Sequence, residues 1–271
     1  MEFRTKIDIP RPQFTIDPNI EMLFVGSCFA DNLGKRFLEE KFRAKVNPYG
    51  VMYNPVSILH TVERIMTDAP GFMPETAVFT LGTNHVYRLK ETGEIVDNCH
   101  KRPQKLFNEE ELTIEECAEC LLKAAGILQE RNDNIRIIVT VSPIRYAKYG
   151  FHGSGLSKAT LLLAADMLVK RNPACSYFPA YEIMNDELRD YRFYREDMLH
   201  PSDQAVEYIW QLFSEAYFSE AAKCFIREWR PIKEALGHRP FNAESEEYKT
   251  FLDKTMRKVN GLSEKYPNFA L

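Results

Sequence analysis

The sequence contains no apolar run long enough to span a bilayer. None of its hydrophobic stretches approaches the roughly 20 residues that a transmembrane helix requires. No apolar run of signal-peptide length follows the N-terminal residues either. Unless a leader has been removed, the chain is therefore expected to stay in the cytoplasm without a membrane partner.

The sequence also lacks a strong excess of charge of either sign. Its 35 Lys and Arg residues against 39 Asp and Glu residues give a formal net charge of -4. A mildly acidic surface has no general attraction for a phosphate backbone. Nucleic acid is therefore not expected as a partner.

Cysteine and histidine are too sparsely grouped for a metal site. Cys117 and Cys120 have C-x-x-C spacing, but they lie inside a helical pattern and no second pair completes four ligands. Cys99 and His100 are adjacent and supply two ligands at most. The sequence has no nucleotide-binding fingerprint, so we expect neither a metal nor an organic cofactor.

Short apolar segments alternate with amphipathic ones along the 271 residues. This alternation predicts an α/β fold, a three-layer αβα sandwich with a central, mostly parallel sheet. Strands are predicted at residues 21–25, 77–82, 135–141 and 175–179, and residues 45–50 are predicted as a strand that runs into a turn. The clearest helices are predicted at residues 113–131, 157–171 and 202–227.

No clear linker divides the chain, and residues 236–247 are the weakest point. We predict one catalytic domain over residues 1–235. Residues 236–271 are predicted to form a C-terminal helical extension packed on the same domain. Residues 84–110 begin with a predicted hairpin and are a candidate insertion or lid.

Chemically capable residues follow several of the predicted strands. Ser27 and Cys28 come after the first strand, Gly50 after the second, Asn84 after the third and Arg145 after the fourth. In an open parallel sheet, ligands bind beyond the carboxyl ends of the strands. We therefore expect these residues to meet at one edge of the sheet.

Asp197 and His200 are three residues apart, a spacing that lets a carboxylate hold the Nδ1–H of an imidazole. The Nε2 atom then faces a nucleophile, which can be Ser27 or Cys28. Either would benefit from the helix N-terminus that follows the turn. Ser27 could equally be only a helix cap, and Cys28 only a small buried apolar side chain.

Residues 24–30, FVGSCFA, resemble the signature for which the GSCFA family is named. The resemblance extends over roughly residues 20 to 230 and its motifs are specific. Further matching stretches lie at residues 47–51, 54–55, 98–103, 139–145 and 177–182, followed by Asp197, His200 and Pro201.

The resemblance implies membership of the SGNH (GDSL-like) hydrolases, with a flavodoxin-like sheet and esterase, lipase or acyltransferase chemistry. By position, Cys28 falls where that superfamily has its serine nucleophile, and Ser27 replaces an aspartate. A slip of one residue would make Ser27 the nucleophile, but the register favours Cys28. Gly50 and Asn84 would line the oxyanion hole, with Asn98 as the competitor of Asn84.

The expected function is hydrolysis of an O-acylated, for instance O-acetylated, carbohydrate or a similar small ester. Asn98, His100 and Arg145 are candidate substrate contacts. Two alternatives stay open: an O-acyltransferase, which would need a donor such as acetyl-CoA, and a non-catalytic glycan-binding module. The sequence predicts neither the acyl group nor the oligomeric state.

Overall fold

The fold is built on two sheets. The computed structural model describes residues 4–99, 101–242, 244–267 and 269. Within the described residues the strands are β1 (Glu21–Gly26), β2 (Arg43–Val46), β3 (Thr76–Leu81), β4 (His85–Leu89), β5 (Ile95–Val96), β6 (Phe107–Glu111), β7 (Arg136–Val141) and β8 (Cys175–Tyr177). Five of these strands form a parallel sheet in the order β2-β1-β3-β7-β8, and three form an antiparallel sheet in the order β5-β4-β6.

Helices cover both faces of the parallel sheet. Those that the described residues form are α1 (Cys28–Glu39), α2 (Pro55–Asp68), α3 (Ile114–Arg131), α4 (Gly150–Arg171), α5 (Ala180–Glu182), α6 (Asp203–Tyr217), α7 (Glu220–Leu236) and α8 (Glu246–Lys265). One apolar cluster joins α1, α6, α7 and α8 to one face, and a second joins α2, α3 and α4 to the other. The predicted three-layer αβα sandwich is confirmed.

The central strands are apolar on both faces because each face is covered. Along β1, Met22 and Phe24 enter one cluster, whereas Leu23 and Val25 enter the other. All four side chains are inaccessible to solvent. Burial of each contributes about 1.5–3 kcal/mol, so the strand is held by its side chains as well as by its ladder.

The predicted helix over residues 202–227 is wrong in its extent, because two helices occupy this stretch. The helix α6 ends at Tyr217, and Ser219 caps α7 by accepting a hydrogen bond from Ala222 N at 3.1 Å. Ile16 pairs at the break, donating its N–H to the Tyr217 carbonyl at 2.7 Å. The N-terminal segment therefore passes where the helix is interrupted.

The residues between β3 and α3 form the small antiparallel sheet. The predicted hairpin is confirmed by the pairing of Tyr87 with Val96 across β4 and β5. The third strand, β6, was not predicted, because its sequence FNEEE is too acidic to indicate a strand. This sheet follows the carboxyl end of β3 and stands beside the edge where the site residues were expected.

The C-terminal helix α8 packs on the same core as α7. Its buried residues Val259 and Leu262 belong to the cluster that also holds Phe225. The Phe225 and Tyr266 rings meet at 4.9 Å between centroids. None of the helices in the described part of the chain has the length and apolarity needed to cross a membrane.

Candidate active site

The turn between β1 and α1 is fixed by glycine and serine. Gly26 has a φ of +143°, and a Cβ at this position would lie 2.2 Å from the Thr80 carbonyl oxygen. Ser27 caps α1, its Oγ accepting a hydrogen bond from Phe29 N at 3.2 Å and lying 3.0 Å from Thr80 Oγ1. The Ser27 side chain is fully buried, and its hydroxyl stabilises the turn and the contact with β3.

Cys28 is the first residue of α1, and its thiol is only partly buried. Its Sγ lies 3.8 Å from Tyr53 Oη. Burial and the neighbouring Cys28 raise the pKa of Tyr53 to about 12. Burial, with smaller effects of Cys28 and Tyr53, raises the pKa of Tyr146. The Tyr146 ring meets the Tyr53 ring edge-on at 6.1 Å. Of the two candidate nucleophiles, the thiol is the more accessible group.

Asp197 and His200 form a hydrogen-bonded pair. His200 Nδ1 lies 2.6 Å from Asp197 Oδ2, which requires the proton on Nδ1 when the carboxylate is ionised. Asp197 Oδ1 accepts hydrogen bonds from His200 N at 2.9 Å and Leu199 N at 2.8 Å. These backbone donors, together with the imidazole, lower the pKa of Asp197 to about 2. As the sequence predicted, Asp197 bonds to Nδ1, so Nε2 is the imidazole nitrogen that remains to accept a proton.

Two consecutive residues after β7 connect this pair with the thiol. Arg145 donates its N–H to the Leu199 carbonyl at 3.1 Å and its Nη1–H to the Met198 carbonyl at 3.2 Å. The next residue, Tyr146, meets the ring of Tyr53, whose Oη lies 3.8 Å from Cys28 Sγ. These two hydrogen bonds from Arg145 stabilise the turn that contains Asp197 and His200. The role of Arg145 as a substrate contact stays a prediction.

The structure gives both predicted oxyanion donors another acceptor. The Gly50 N–H donates to the Asn47 carbonyl at 2.8 Å within a turn where Gly50 has a φ of +96°. Asn84 is buried, and its Nδ2 donates to the Leu112 carbonyl at 2.8 Å. Each donor thus stabilises its own loop, and an oxyanion role for either stays a prediction.

A cavity of about 250 Å³ is walled in part by Tyr53 and Tyr146. Tyr53 is the lining residue that contacts the thiol, through its Oη at 3.8 Å from Cys28 Sγ. The wall on the side of the small sheet includes Asn98, whereas His100 lies outside the described residues. Four tyrosines line the cavity, namely Tyr53, Tyr87, Tyr146 and Tyr149.

Lys158 lies beneath this region and was missed by the sequence analysis. Its buried Nζ donates to the Gly82 and Ser142 carbonyls, each at 2.8 Å, and thereby joins the ends of β3 and β7. Nζ lies 5.1 Å from the centre of the Tyr146 ring. One signal was present: Lys158 stands three residues before Leu161, on the apolar face of α4.

Lys158 is expected to make the stability of the fold depend on pH. Burial lowers the pKa of Lys158 to about 7, whereas an unfolded lysine has a pKa of about 10.4. Between these values the unfolded chain binds the extra proton, so the free energy of unfolding rises with pH. The slope is at most about 1.4 kcal/mol per pH unit.

Urea unfolding at pH 7.5 and pH 9 measures this effect when the unmodified protein is compared with Lys158→Met. Methionine fills similar space and does not titrate. The stability difference between the two pH values should be smaller in Lys158→Met than in the unmodified protein. Equal differences in the two proteins would contradict a titrating amine at this position.

Solved structures show the class of fold. A catalytic mutant of Axe2, an acetylxylan esterase from Geobacillus stearothermophilus, is 11% identical over 76% of this chain and 98% of that one, with a TM-score of 0.50. A candidate GDSL-like lipase from Parabacteroides merdae is 15% identical over 76% and 98%, with a TM-score of 0.45. A carbohydrate esterase of family 3 from Talaromyces cellulolyticus is 9% identical over 72% and 95%, with a TM-score of 0.41. The chain therefore shares the α/β fold of the Axe2 structure.

The family is shown by the sequence models. The chain belongs to the GSCFA family, whose model matches residues 21–75 and 71–213. A second model, the C-terminal domain of GSCFA domain proteins, matches residues 229–271. No curated protein matches the chain.

Proposed function

We propose that this protein is an SGNH-type acyl-ester hydrolase with Cys28 as nucleophile, His200 as general base and Asp197 as the carboxylate that orients His200. The observation that carries the proposal is the Asp197–His200 pair, with its 2.6 Å contact at Nδ1. Such a pair directs the imidazole's remaining nitrogen towards a substrate or nucleophile. The Arg145–Tyr146 segment runs from the turn of the pair to Tyr53, the tyrosine that contacts the thiol.

The reaction has two stages. In the first, Cys28 Sγ attacks the ester carbonyl carbon while its proton moves to His200 Nε2. The tetrahedral intermediate then expels the alcohol, which takes that proton, and a thioester remains. In the second, His200 removes a proton from water, the resulting hydroxide attacks the thioester, and the acid leaves as the thiol is reprotonated.

Cys28 suits the nucleophile's role better than Ser27. The Ser27 hydroxyl is buried and already contacts Phe29 N and Thr80 Oγ1. Cys28 stands at the first position of α1, where the partial positive charge of the helix N-terminus favours a developing anion. Tyr53, which contacts the thiol, also lines the cavity.

The cavity favours an O-acylated carbohydrate as the substrate. Aromatic faces and hydrogen-bonding groups together suit a ring that carries hydroxyl groups, and the wall includes Asn54, Asn98 and Lys148 besides its tyrosines. Val96 is the only aliphatic side chain among the described lining residues, so a long acyl chain would find little apolar surface. Because about 250 Å³ lies below the usual 300–1,000 Å³ of ligand pockets, one sugar ring is the expected occupant.

Acetate release tests the proposal. Acetylated xylo-oligosaccharides and p-nitrophenyl acetate are incubated with the protein in the absence of acetyl-CoA. We expect hydrolysis by the unmodified protein and a kcat/KM at least about 100-fold lower in Asp197→Asn, because the amide no longer fixes the imidazole tautomer. No hydrolysis by the unmodified protein would contradict the proposal and favour a transferase or a binding module.

Asp190→Asn is the matched control. Asp190 also accepts a backbone hydrogen bond, from Arg192 N at 2.9 Å, but it has no contact with an imidazole. Its replacement should leave hydrolysis nearly unchanged. An equal loss in both variants would mean that the effect comes from the surrounding loop and not from the Asp197–His200 pair.

A further inference from the structure

Each of the two donors that the sequence predicted for the oxyanion has an acceptor within the protein. The Gly50 N–H is used by the Asn47 carbonyl, and Asn84 Nδ2 is used by the Leu112 carbonyl. A tetrahedral intermediate still requires preorganised donors. The backbone N–H of Cys28 can supply one, because the first N–H groups of a helix have no acceptor within it.

Tyr53 offers a second donor at a suitable distance. An oxyanion donor lies about 2.7–3.1 Å from the charged oxygen, and that oxygen is separated from the attacking sulfur by one carbon atom. The donor is therefore expected about 4 Å from the sulfur. Tyr53 Oη stands 3.8 Å from Cys28 Sγ, in a long hydrogen bond that the oxygen of an arriving carbonyl can replace.

The backbone of Tyr53 is held on several sides, as a preorganised donor must be. Its carbonyl accepts the N–H groups of Gly82 at 2.9 Å and Thr83 at 2.8 Å, which fixes it to the end of β3. Before it, Met52 N donates to the Gly26 carbonyl at 2.8 Å. After it, Asn54 caps α2, its Oδ1 accepting from Ser57 N at 2.9 Å.

The Tyr53 hydroxyl also keeps its proton and lies where a substrate can reach it. Burial and the neighbouring thiol raise the pKa of Tyr53, so the group donates a hydrogen bond and does not act as a base near neutral pH. The side chain is 39% exposed and forms part of the cavity wall. A carbonyl oxygen bound beside Cys28 can therefore reach it.

We propose that Tyr53 is a catalytic residue whose hydroxyl, together with the Cys28 N–H, stabilises the oxyanion in place of Gly50 and Asn84. This inference rests on the proposed function. As Sγ bonds to the carbonyl carbon, the π electrons move to the oxygen, which accepts hydrogen bonds from both groups. Tyr53 transfers no proton, and the interaction weakens when the carbonyl reforms and the alcohol leaves.

Tyr53→Phe tests the inference through two reactions of the same thiol. Hydrolysis of p-nitrophenyl acetate passes through an oxyanion, so kcat should fall about 100-fold with KM little changed. Alkylation of Cys28 by iodoacetamide passes through no such oxyanion, so its rate should be unchanged. Peptide mass spectrometry distinguishes Cys28 from the other cysteines.

Tyr49→Phe is the matched control, because the Tyr49 hydroxyl donates a hydrogen bond to Asp68 Oδ2 at 2.8 Å and lies away from the thiol. It should leave both reactions unchanged. Full hydrolysis by Tyr53→Phe would overturn the inference. A loss of alkylation as large as the loss of hydrolysis would also overturn it, because the hydroxyl would then act on the sulfur and not on the oxyanion. Absence of hydrolysis by the unmodified protein would instead overturn the proposed function and this inference with it.

Discussion

Cys28→Ala is expected to lower kcat/KM for acetyl ester hydrolysis by about 10,000-fold or more, because no other group replaces a nucleophile. Ser27→Ala should behave differently. Losing the cap at Phe29 N and the contact with Thr80 Oγ1 should lower the free energy of unfolding by about 1–2 kcal/mol. Below its unfolding transition, Ser27→Ala should still hydrolyse esters.

Urea unfolding and initial rates, measured on the same preparations, separate these two effects. Cys28→Ser is a useful companion, since it keeps a hydroxyl in the position of the thiol and should retain part of the activity. A folded but inactive Ser27→Ala together with an active Cys28→Ala would reverse the assignment. The nucleophile would then be Ser27, as a slip of one residue in the signature implies.

Local sequence pattern predicted the layers of the fold well. The runs Met22–Val25 and Ile137–Val139 are apolar at every position, a pattern that strands show when both sheet faces are covered. The capping box of Thr113 and Glu116 likewise identified the start of α3, where the structure has it. These features depend on neighbours in the chain, so the sequence contains them directly.

The break between α6 and α7 depends on a distant segment and was therefore missed. Aromatic residues recur at helical spacing through Phe213, Tyr217 and Phe218, so the pattern alone predicts one continuous helix. The strand-like pairing of Ile16 with Phe218 ends the first helix instead. Ser219 is a local cap signal, but a serine within an apolar pattern does not by itself indicate a break.

In the site, too, features set by neighbours in the chain could be predicted, and features set by distant segments could not. Asp197 and His200 are close in sequence, so their pairing could be predicted from spacing. Lys158 had its place on the apolar face of α4 as its one signal, and Tyr53 had none, because both make their contacts with residues on other strands and helices. A tyrosine in a loop or a lysine in a helix is most often a solvated side chain, and only the fold shows these two at the strand ends.

Gly26→Ala is expected to destabilise the fold by about 3 kcal/mol or more, because two penalties combine. The φ of +143° lies where residues with a Cβ are rarely found. The added Cβ would also lie 2.2 Å from the Thr80 carbonyl oxygen, which cannot move freely because Ser27 N donates to it at 3.0 Å. Relief requires β1 and β3 to separate, and that shift would displace Cys28 as well.

Gly50→Ala separates the two penalties. Gly50 also has a positive φ, of +96°, but no atom lies within 4 Å of its added Cβ, so strain alone should cost about 1–3 kcal/mol. Urea unfolding of both variants gives the free energies. Equal losses would mean that the contact with Thr80 contributes nothing and that backbone conformation alone requires glycine before Ser27. A larger loss in Gly26→Ala, with a lower rate of Cys28 alkylation, would show that the packing of β1 against β3 positions the thiol.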